Sequence, residues 1–599
     1  MTAQLRIGPL LRRVVGDRAT VWVETSAPAL VRIEADGGAA GSAPTFCAYG
    51  HHYALVVVEG LAPDSATAYR VLLDDRQVWP EADSPYPPPV ISTRAADDRD
   101  QPVRMVFGSC REATPDSTRR TLPPDALDAY ARRLMDEPAS RPDLLVLLGD
   151  QVYADETSQG VRRVLRRRRA AGHDGPTDQV VAYEEYTALY LESWRDPEVR
   201  WLLATVPSVM IFDDHEIIDD WNTSAAWRRD MSAQPWWRER ITAGLASYWV
   251  YQHLGNLAPD ELATDPLFAR VTAAGDATEL LREFGRTVDD PGAASPPGPA
   301  GREPSADLPD RGGRVPAVGG GALEPGGGAP VPGDEVPRAY RWSFALDLGR
   351  TRLVVLDNRC SRVLTPGRRA MLPADEWSWF VDQAHGDYDH LVVGSSLPWL
   401  MPPAIHHAEA WSEKVADSRG ARRAALGERV RRVFDLEHWA AFGRSFDALA
   451  ELFRRLGEGG PQAPGHRRGA GDAYAAPASI SVLSGDVHHS YVARAELGPA
   501  MRTPVHQLTC SPIHNEVPAP LRPLMRLGWS RAAARAVRGL AKAAGVPRPP
   551  LRWTRVRGPY FGNAVATLRH TGAQATVVIE GTTKDGQLID VAQVSLTND

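Results

Sequence analysis

Paired cysteines, long apolar runs and a strong overall charge of one sign are all missing from this chain of 599 residues. Cys47, Cys110, Cys360 and Cys510 are scattered with no repeated spacing, which argues against a disulfide framework and points to a reducing compartment. No run reaches the ~20 apolar residues of a membrane helix. The opening Met1-Thr-Ala-Gln-Leu-Arg has no charged segment followed by an apolar stretch, and Arg12-Arg13 runs into Val-Val-Gly-Asp rather than a signal-peptide core. The expected location is the cytoplasm. A formal charge of −7 is mild for this length, so no specific nucleic-acid binding is expected. One absence is local: no acidic residue occurs between Glu516 and Glu580.

At roughly 150 residues per domain, the length predicts more than one globular part. Residues 1–95 read as all-β. Thr20–Val23, Leu30–Ile33, His52–Val58 and Thr67–Leu72 are short, rich in β-branched and aromatic residues, and punctuated by Gly16-Asp17, Gly37-Gly38 and Pro63-Asp64. Such spacing predicts a small immunoglobulin or fibronectin type III-like sandwich, with Pro85 to Pro89 as a stiff connector. From Val103, buried-type strands alternate with helical stretches such as Asp125–Met135 and Tyr183–Trp194, which predicts an α/β domain over residues 100–599. Strand-like runs return at Arg352–Leu356, His390–Val393 and after Gly562, so a two-sheet core is expected. Residues 287–337, dominated by Gly, Pro and Ala, carry too few large apolar residues to offset ordering entropy and read as a disordered surface insertion.

In the acid-free stretch, Arg522, Arg526, Arg531, Arg535, Arg538 and Lys542 recur near helical spacing with Leu524, Leu527, Val537 and Leu540. One basic amphipathic helix is predicted within residues 518–547. Its simpler reading is a helix packed on the body with its arginines in water. The other is weak contact with an anionic membrane surface, or the gathering of a polyanionic substrate.

Four apolar runs end abruptly in residues that bind metals: Val103–Phe107 into Gly-Ser-Cys110, Leu144–Leu148 into Gly-Asp150-Gln-Val-Tyr153, Ser208–Phe212 into Asp213-Asp214-His215-Glu216, and Ile480–Leu483 into Ser-Gly-Asp486-Val-His488-His489. Unalternating apolar runs read as strands buried on both faces, and ligands sit beyond the carboxyl ends of such strands. Neighbouring strands would bring a thiol, a phenol, carboxylates and imidazoles together, a set suited to metal ions. A tyrosine of pKa ~10 needs a strong Lewis acid to stay deprotonated, so Tyr153 points to Fe(III). A thiolate at Cys110 excludes a purely magnesium-type site. Alone, Gly149-Asp150 is a turn and Cys110 a small core residue. Four consecutive ionisable groups at 213–216 are costly to bury unpaired, and Asp486 and His488, two apart, point the same way in an extended segment. Their joint occurrence carries the inference.

In that order, these motifs resemble those of the alkaline phosphatase D (PhoD-like) family within the calcineurin-like metallophosphoesterase superfamily. The resemblance implies an αββα four-layer core preceded by a β-sandwich, phosphatase or phosphodiesterase activity, and a site with iron (Fe3+) and calcium or another divalent metal. It implies that Cys110, Asp150 and Tyr153 hold iron, that Asp214 and Asp486 hold the neighbouring metal, and that His488 closes the cluster. Where family members known for secreted phosphodiesterase activity carry a glutamate and asparagines, this chain has Ile218-Asp219-Asp220, making the second metal's surroundings more anionic.

The expected reaction is hydrolysis of a phosphate ester by a metal-activated water, without a covalent enzyme intermediate. His215 is the candidate to protonate the leaving oxygen. Arg111, with a lesser claim for Arg359, would bring charge to the phosphoryl oxygens. Two alternatives stand beside this reading: a phosphodiesterase for phospholipid or envelope polymer at an anionic surface, and a non-catalytic binding protein stapled by metal. The substrate, the monoester-to-diester preference and the oligomeric state are not written in the sequence.

Overall fold

Short strands with β-branched and aromatic residues fill the first ninety residues, and they pair into two sheets. One orders Leu5–Val15, Arg18–Thr25, His51–Val58 and Phe46–Ala48, and the other joins Ala40–Pro44, Leu30–Ala35, Ala66–Leu73 and Arg76–Trp79, with Val90–Ser92 also paired to Ala66–Leu73. The computed structural model describes residues 2–112, 122–289, 340–461 and 473–598. Beyond the first sheets the chain is mixed α/β. Of the insertion expected at 287–337, residues 287–289 close the helix Thr278–Asp289, and the rest lies outside the described residues.

Two larger sheets carry the apolar runs. Ser208–Ile211, Leu144–Leu148 and Val103–Gly108 pair in parallel, and Ala564–Thr571, Gln574–Thr582 and Leu588–Ser595 extend that sheet antiparallel. In the second sheet Thr351–Leu356, His390–Ser395, Ser479–Ser484 and Val505–Thr509 run parallel. Leu353 and Val355 enter a core shared with Phe107, Val146 and Leu148 of the first sheet. Val354 and Leu356, on the opposite face of the same strand, pack with Trp399, Phe446 and Phe453. Burial on both faces is why these strands read as continuous apolar runs. The sheets come close: a Cβ on Gly394 would lie 3.3 Å from Leu148 Cδ2. Parallel pairing within each sheet places the carboxyl ends of the motif strands side by side, and facing sheets bring the two sets of ends together.

The N-terminal strands share this core. Trp22 packs 5.2 Å from Tyr251 and edge-on to Trp194 at 6.4 Å, while Tyr190 stacks on Tyr251 at 4.0 Å. The proline-rich connector is itself docked, with Trp201 Nε1 donating to the Pro87 carbonyl at 2.8 Å. Arg12, fully buried, donates to the carbonyls of Ser208, Tyr251 and Gln252 at 3.0, 3.2 and 2.8 Å, and to Asn256 Oδ1 at 3.1 Å. Among the described residues no carboxylate pairs with it, and burial lowers its pKa to about 9. Gly255 leaves room for this guanidinium, since a Cβ there would lie 2.5 Å from Arg12 Nε.

The acid-free segment forms two helices, Arg522–Gly528 and Arg531–Ala543, in place of the single helix expected. Ser530 between them is extended, and the break lets Trp529 turn inward to meet Tyr491 edge-on at 5.2 Å. Among the described residues no helix is long and apolar enough to cross a membrane.

Arg12→Met keeps the apolar stem but strands three backbone carbonyls. The expected outcome is a loss of about 3 kcal/mol from the charged hydrogen bonds and the acceptors left unsatisfied, read as a lower midpoint in urea unfolding. An unchanged midpoint would show that Arg12 does not hold the N-terminal sheets to the core.

Candidate functional site

Three of the four motifs cross from strand to loop through a backbone turn that side chains rarely adopt. Cys110, Asp150, Asp486 and His488 have φ of 57°, 52°, 67° and 49°, the left-handed region that costs a non-glycine residue energy and clusters at functional sites. The neighbouring glycines permit close approach. A Cβ on Gly149 would lie 2.5 Å from Asp213 Cβ, and one on Gly485 would lie 1.8 Å from Ser109 Oγ. Backbone bonds fasten the tips: Cys110 and Arg111 N–H donate to the carbonyls of Gly149 and Asp150 at 3.3 and 3.0 Å, and Ile513 N–H donates to Ser109 at 2.8 Å.

The side chains then converge. Cys110 Sγ donates to Asp150 Oδ2 at 3.2 Å and accepts from Ser511 Oγ at 3.2 Å. Burial, with Asp150 and Asp486 alongside, pushes its thiol well above the usual range. Burial and the same Asp150 likewise raise the Tyr153 phenol, whose oxygen accepts from Asn515 Nδ2 at 3.2 Å. Asp150, Asp213 and Asp214 each offer an oxygen within 4.8 Å of the others. Burial raises the pKa of all three, most strongly for Asp150 and Asp213, despite the positive charge near them.

Arg359 is the cation inside this group. Its Nε bonds Asp213 and its Nη1 bonds Glu437, while Nη2 stands 3.3 Å from Asp214 Oδ1 and 3.4 Å from Asp486 Oδ1. Burial works against its charge, but these carboxylates hold its pKa well above the ordinary value. Even so, Asp150 Oδ1, Asp213 Oδ2 and Asp214 Oδ1 are buried without a hydrogen bond, the last having only the ion-pair contact to Arg359. Buried carboxylate oxygens without donors are costly. Cations in the middle would satisfy them, and this donor set of carboxylates, thiol, phenol and imidazole fits metal ions.

His215 Nδ1 lies 2.8 Å from Asp155 Oδ1, and its ring sits 4.5 Å from that of Tyr153. Burial opposes its protonation, yet Asp155 and Asp214 raise its pKa well above the usual value. His215, Asp214 and Asp219 form a second group able to hold a metal. Asp486 behaves differently from its neighbours: burial would raise it, but His438 Nε2 at 2.9 Å and Arg359 depress it. His488 is half-buried, and desolvation lowers its pKa to about 4, leaving a neutral imidazole able to ligate.

Arg111 stands elsewhere than expected. Its Nε donates to Asp125 Oδ2 at 2.7 Å and its Nη1 to the Ser193 carbonyl at 2.8 Å, while Asp125 also caps the helix Ala126–Asp136. These bonds direct the guanidinium to a helix start and away from the carboxylate cluster. Glu216 is a bracket. Its carboxylate accepts from the backbone N–H groups of Asp150, Gln151 and Asp213 at 3.0, 2.8 and 2.9 Å, and from Gln252 Nε2 at 3.1 Å. It therefore fixes the turn at Asp150 and the turn at Asp213 to one another.

Residues 119–290 match the family model of the PhoD-like phosphatases. The chain carries a PhoD-like phosphatase domain. That stretch contains Asp150, Tyr153 and the 213–216 motif, and residues 2–91 match a separate model, a domain of unknown function (DUF7800). A solved structure titled "Structure of PhoD" is similar over 100% of this chain and 91% of that chain, with a TM-score of 0.55 and 11% identity. At that identity the likeness shows the fold. No curated protein matches the chain.

Several residues at this site carried no sequence signal strong enough to find them. His438 follows no apolar strand, yet it bridges Glu409 at 3.0 Å and Asp486 at 2.9 Å. Asp155 lies just past the Tyr153 motif, where its spacing to His215 could not be read. Glu216→Ala leaves three buried N–H groups without an acceptor and is expected to cost about 3 kcal/mol or more. Thermal melting and activity should both fall, and a variant with wild-type melting temperature would refute the bracket.

Proposed function

We propose that this protein hydrolyses phosphoric esters with a metal-activated water, on an αββα four-layer core preceded by an immunoglobulin or fibronectin type III-like sandwich. The observation that carries the reading is the group of buried, donor-less oxygens on Asp150, Asp213 and Asp214 at the meeting point of the strand ends. Cys110, Asp150 and Tyr153 would hold Fe3+, and Asp214, Asp486 and His488 calcium or another divalent ion, with Asp213 added as a donor on its free Oδ2. When bound, such ions supply Lewis acidity, a water of lowered pKa and charge opposite the phosphoryl oxygens. Cysteines scattered without paired spacing fit the cytoplasm.

The chain's own groups divide the remaining work. Asp155 holds His215 at Nδ1, leaving Nε2 to carry a proton outward. His215 protonates the departing oxygen. Arg359 neutralises the carboxylates from within; held by Asp213 and Glu437, it keeps ligands in place and leaves the phosphoryl group to others. His438 steadies Asp486. Arg111 supports the wall of the site through Asp125 and Ser193, in place of the substrate contact expected for it. A non-catalytic metal-stapled protein would need no proton donor with a free nitrogen beside the cluster, which favours the enzyme.

The purified protein should contain iron, show a thiolate or phenolate to Fe(III) charge-transfer band, and turn over nitrophenyl phosphate mono- or diesters. Cys110→Ser should shift or bleach that band. A colourless, iron-free and active protein would overturn the iron assignment. A fully metallated protein inert on both ester classes would overturn the hydrolase.

Neighbouring residues of one motif should fail differently. Asp214→Ala removes an anionic ligand, so metal content and activity should fall together, with partial rescue by excess metal. His215→Ala should retain metal and slow alkyl phosphate hydrolysis by ~10²–10⁴, with a small effect on nitrophenyl esters, whose phenolate leaves without a proton. Equal losses on the two substrates, or loss of metal from His215→Ala, would reject the leaving-group role.

A further inference from the structure

Beside the site, positive charge is left without compensation. A groove of about 1070 Å³ is lined by both the helix Arg531–Ala543 and the strand Arg552–Tyr560. Arg531, Arg535, Arg538, Arg548, Arg552 and Arg555 line it, and the sole acidic residue of its wall is Glu496. Arg538 donates to the Val546 carbonyl at 3.1 Å and Arg555 lies over the Trp529 ring at 5.6 Å. Among the described residues, Arg531, Arg535, Arg548 and Arg552 have no carboxylate partner. Other surface arginines have carboxylate partners: Arg350 pairs with Asp387 and Asp389, and Arg454 with Glu451 and Glu458. An ordinary solvated face mixes its charges in that way.

The groove lies near the site, across a layer of buried rings. Trp529 on its wall meets Tyr491 at 5.2 Å, Tyr491 stacks with His489 at 5.3 Å, and His489 adjoins His488. Arg531, Arg535 and Arg538 follow one another at about one helical turn, so guanidinium forks repeat along its length. Such forks match phosphate oxygens two at a time. Surfaces for stacking bases are already taken: Arg555 and Tyr491 cover Trp529, and His406 and Phe446 pack on Trp553 at 4.8 and 6.1 Å. Base stacking is what single-strand binders add to a basic groove.

We propose that this groove is an exosite for a linear polyanion of repeating phosphate groups, holding the trunk of a polymeric substrate whose end enters the metal centre. The inference rests on the hydrolase reading for its second half alone. Binding of the full chain to long-chain inorganic polyphosphate, to oligothymidylate of equal charge and to phosphatidylglycerol vesicles would be measured against salt. The variant combines Arg531→Ala, Arg535→Ala and Arg552→Ala.

Polyphosphate should bind the wild type more tightly than the oligonucleotide does. The triple variant should bind it at least ~10-fold more weakly with a log–log salt slope shallower by about 2, while melting temperature and nitrophenyl phosphate turnover stay unchanged. The corresponding triple lysine variant should keep most of the affinity. Absent polyphosphate binding at low salt, or equal binding by the triple alanine variant, overturns the proposal. Equal or tighter oligonucleotide binding makes the groove a nucleic-acid site. Vesicle binding without polyphosphate binding, lost on changing the exposed Leu524 and Leu527 to Ser, makes the surface a lipid contact instead. A chain that binds polyphosphate through these arginines but hydrolyses no phosphoric ester refutes the hydrolase and leaves the groove intact.

Discussion

Negative charge gathered at the strand ends has to be balanced, and that balance organises the middle of the molecule. Asp150, Asp213, Asp214, Asp486 and Glu437 are brought to one place, most of them with almost no exposure to water. Each would be costly to bury alone. Arg359 answers part of the charge, with its fork reaching four carboxylates at once, and a point charge such as lysine could not do so. Three oxygens remain without donors, and the carboxyls carrying them are pushed upward in pKa. A site so short of positive charge is able to hold cations, and cations there would tie its chemistry to its stability.

Strain supports the same arrangement. Left-handed turns at Cys110, Asp150, Asp486 and His488 turn side chains from strand direction toward a common point. Such turns persist where surrounding contacts over-determine them. Glu216 supplies three such contacts from one carboxylate, and Gly149 and Gly485 supply the space. Sheet pairing sets the strand ends within reach, and the turns finish the placement. The N-terminal strands add rigidity through the Trp22, Tyr190 and Tyr251 cluster and through Arg12, whose acceptors include the backbone of the very strand that leads to Asp213.

The strand ends were legible because burial on two faces leaves an unbroken apolar run, and a run that stops at Asp or Cys shows where the sheet ends. The all-β beginning was legible from short β-branched and aromatic runs between turn residues, and the α/β character from buried-type runs alternating with helical stretches. What escaped the sequence were pairings across long separations. Arg359 with Asp213, and His438 with Asp486, join residues 146 and 48 positions apart, and neither partner has a local pattern that names the other. Arg111 sits directly after Cys110, yet adjacency says nothing of direction, and its side chain follows Asp125 to a helix cap. The basic segment was legible as helical but not as broken, since the break depends on where Trp529 finds Tyr491.

Positive charge is thus used in two ways that cannot replace each other. A guanidinium engaged by buried carboxylates on all three of its nitrogens, as Arg359 is, is fixed in place before any charge develops on a substrate, so it contributes to catalysis through the geometry of the ligands it holds. On the proposed reading, the groups that meet developing charge are the metal ions and His215, whose proton moves in the transition state. The groove arginines are the reverse case: solvated, without carboxylate partners and distant from the reacting bond. They bind a substrate trunk equally before and during reaction, so they lower KM and leave kcat to the buried centre. The separation follows from burial itself, because a charge held in a dry carboxylate nest is fixed in position but already spent, while a charge kept in water is free to bind.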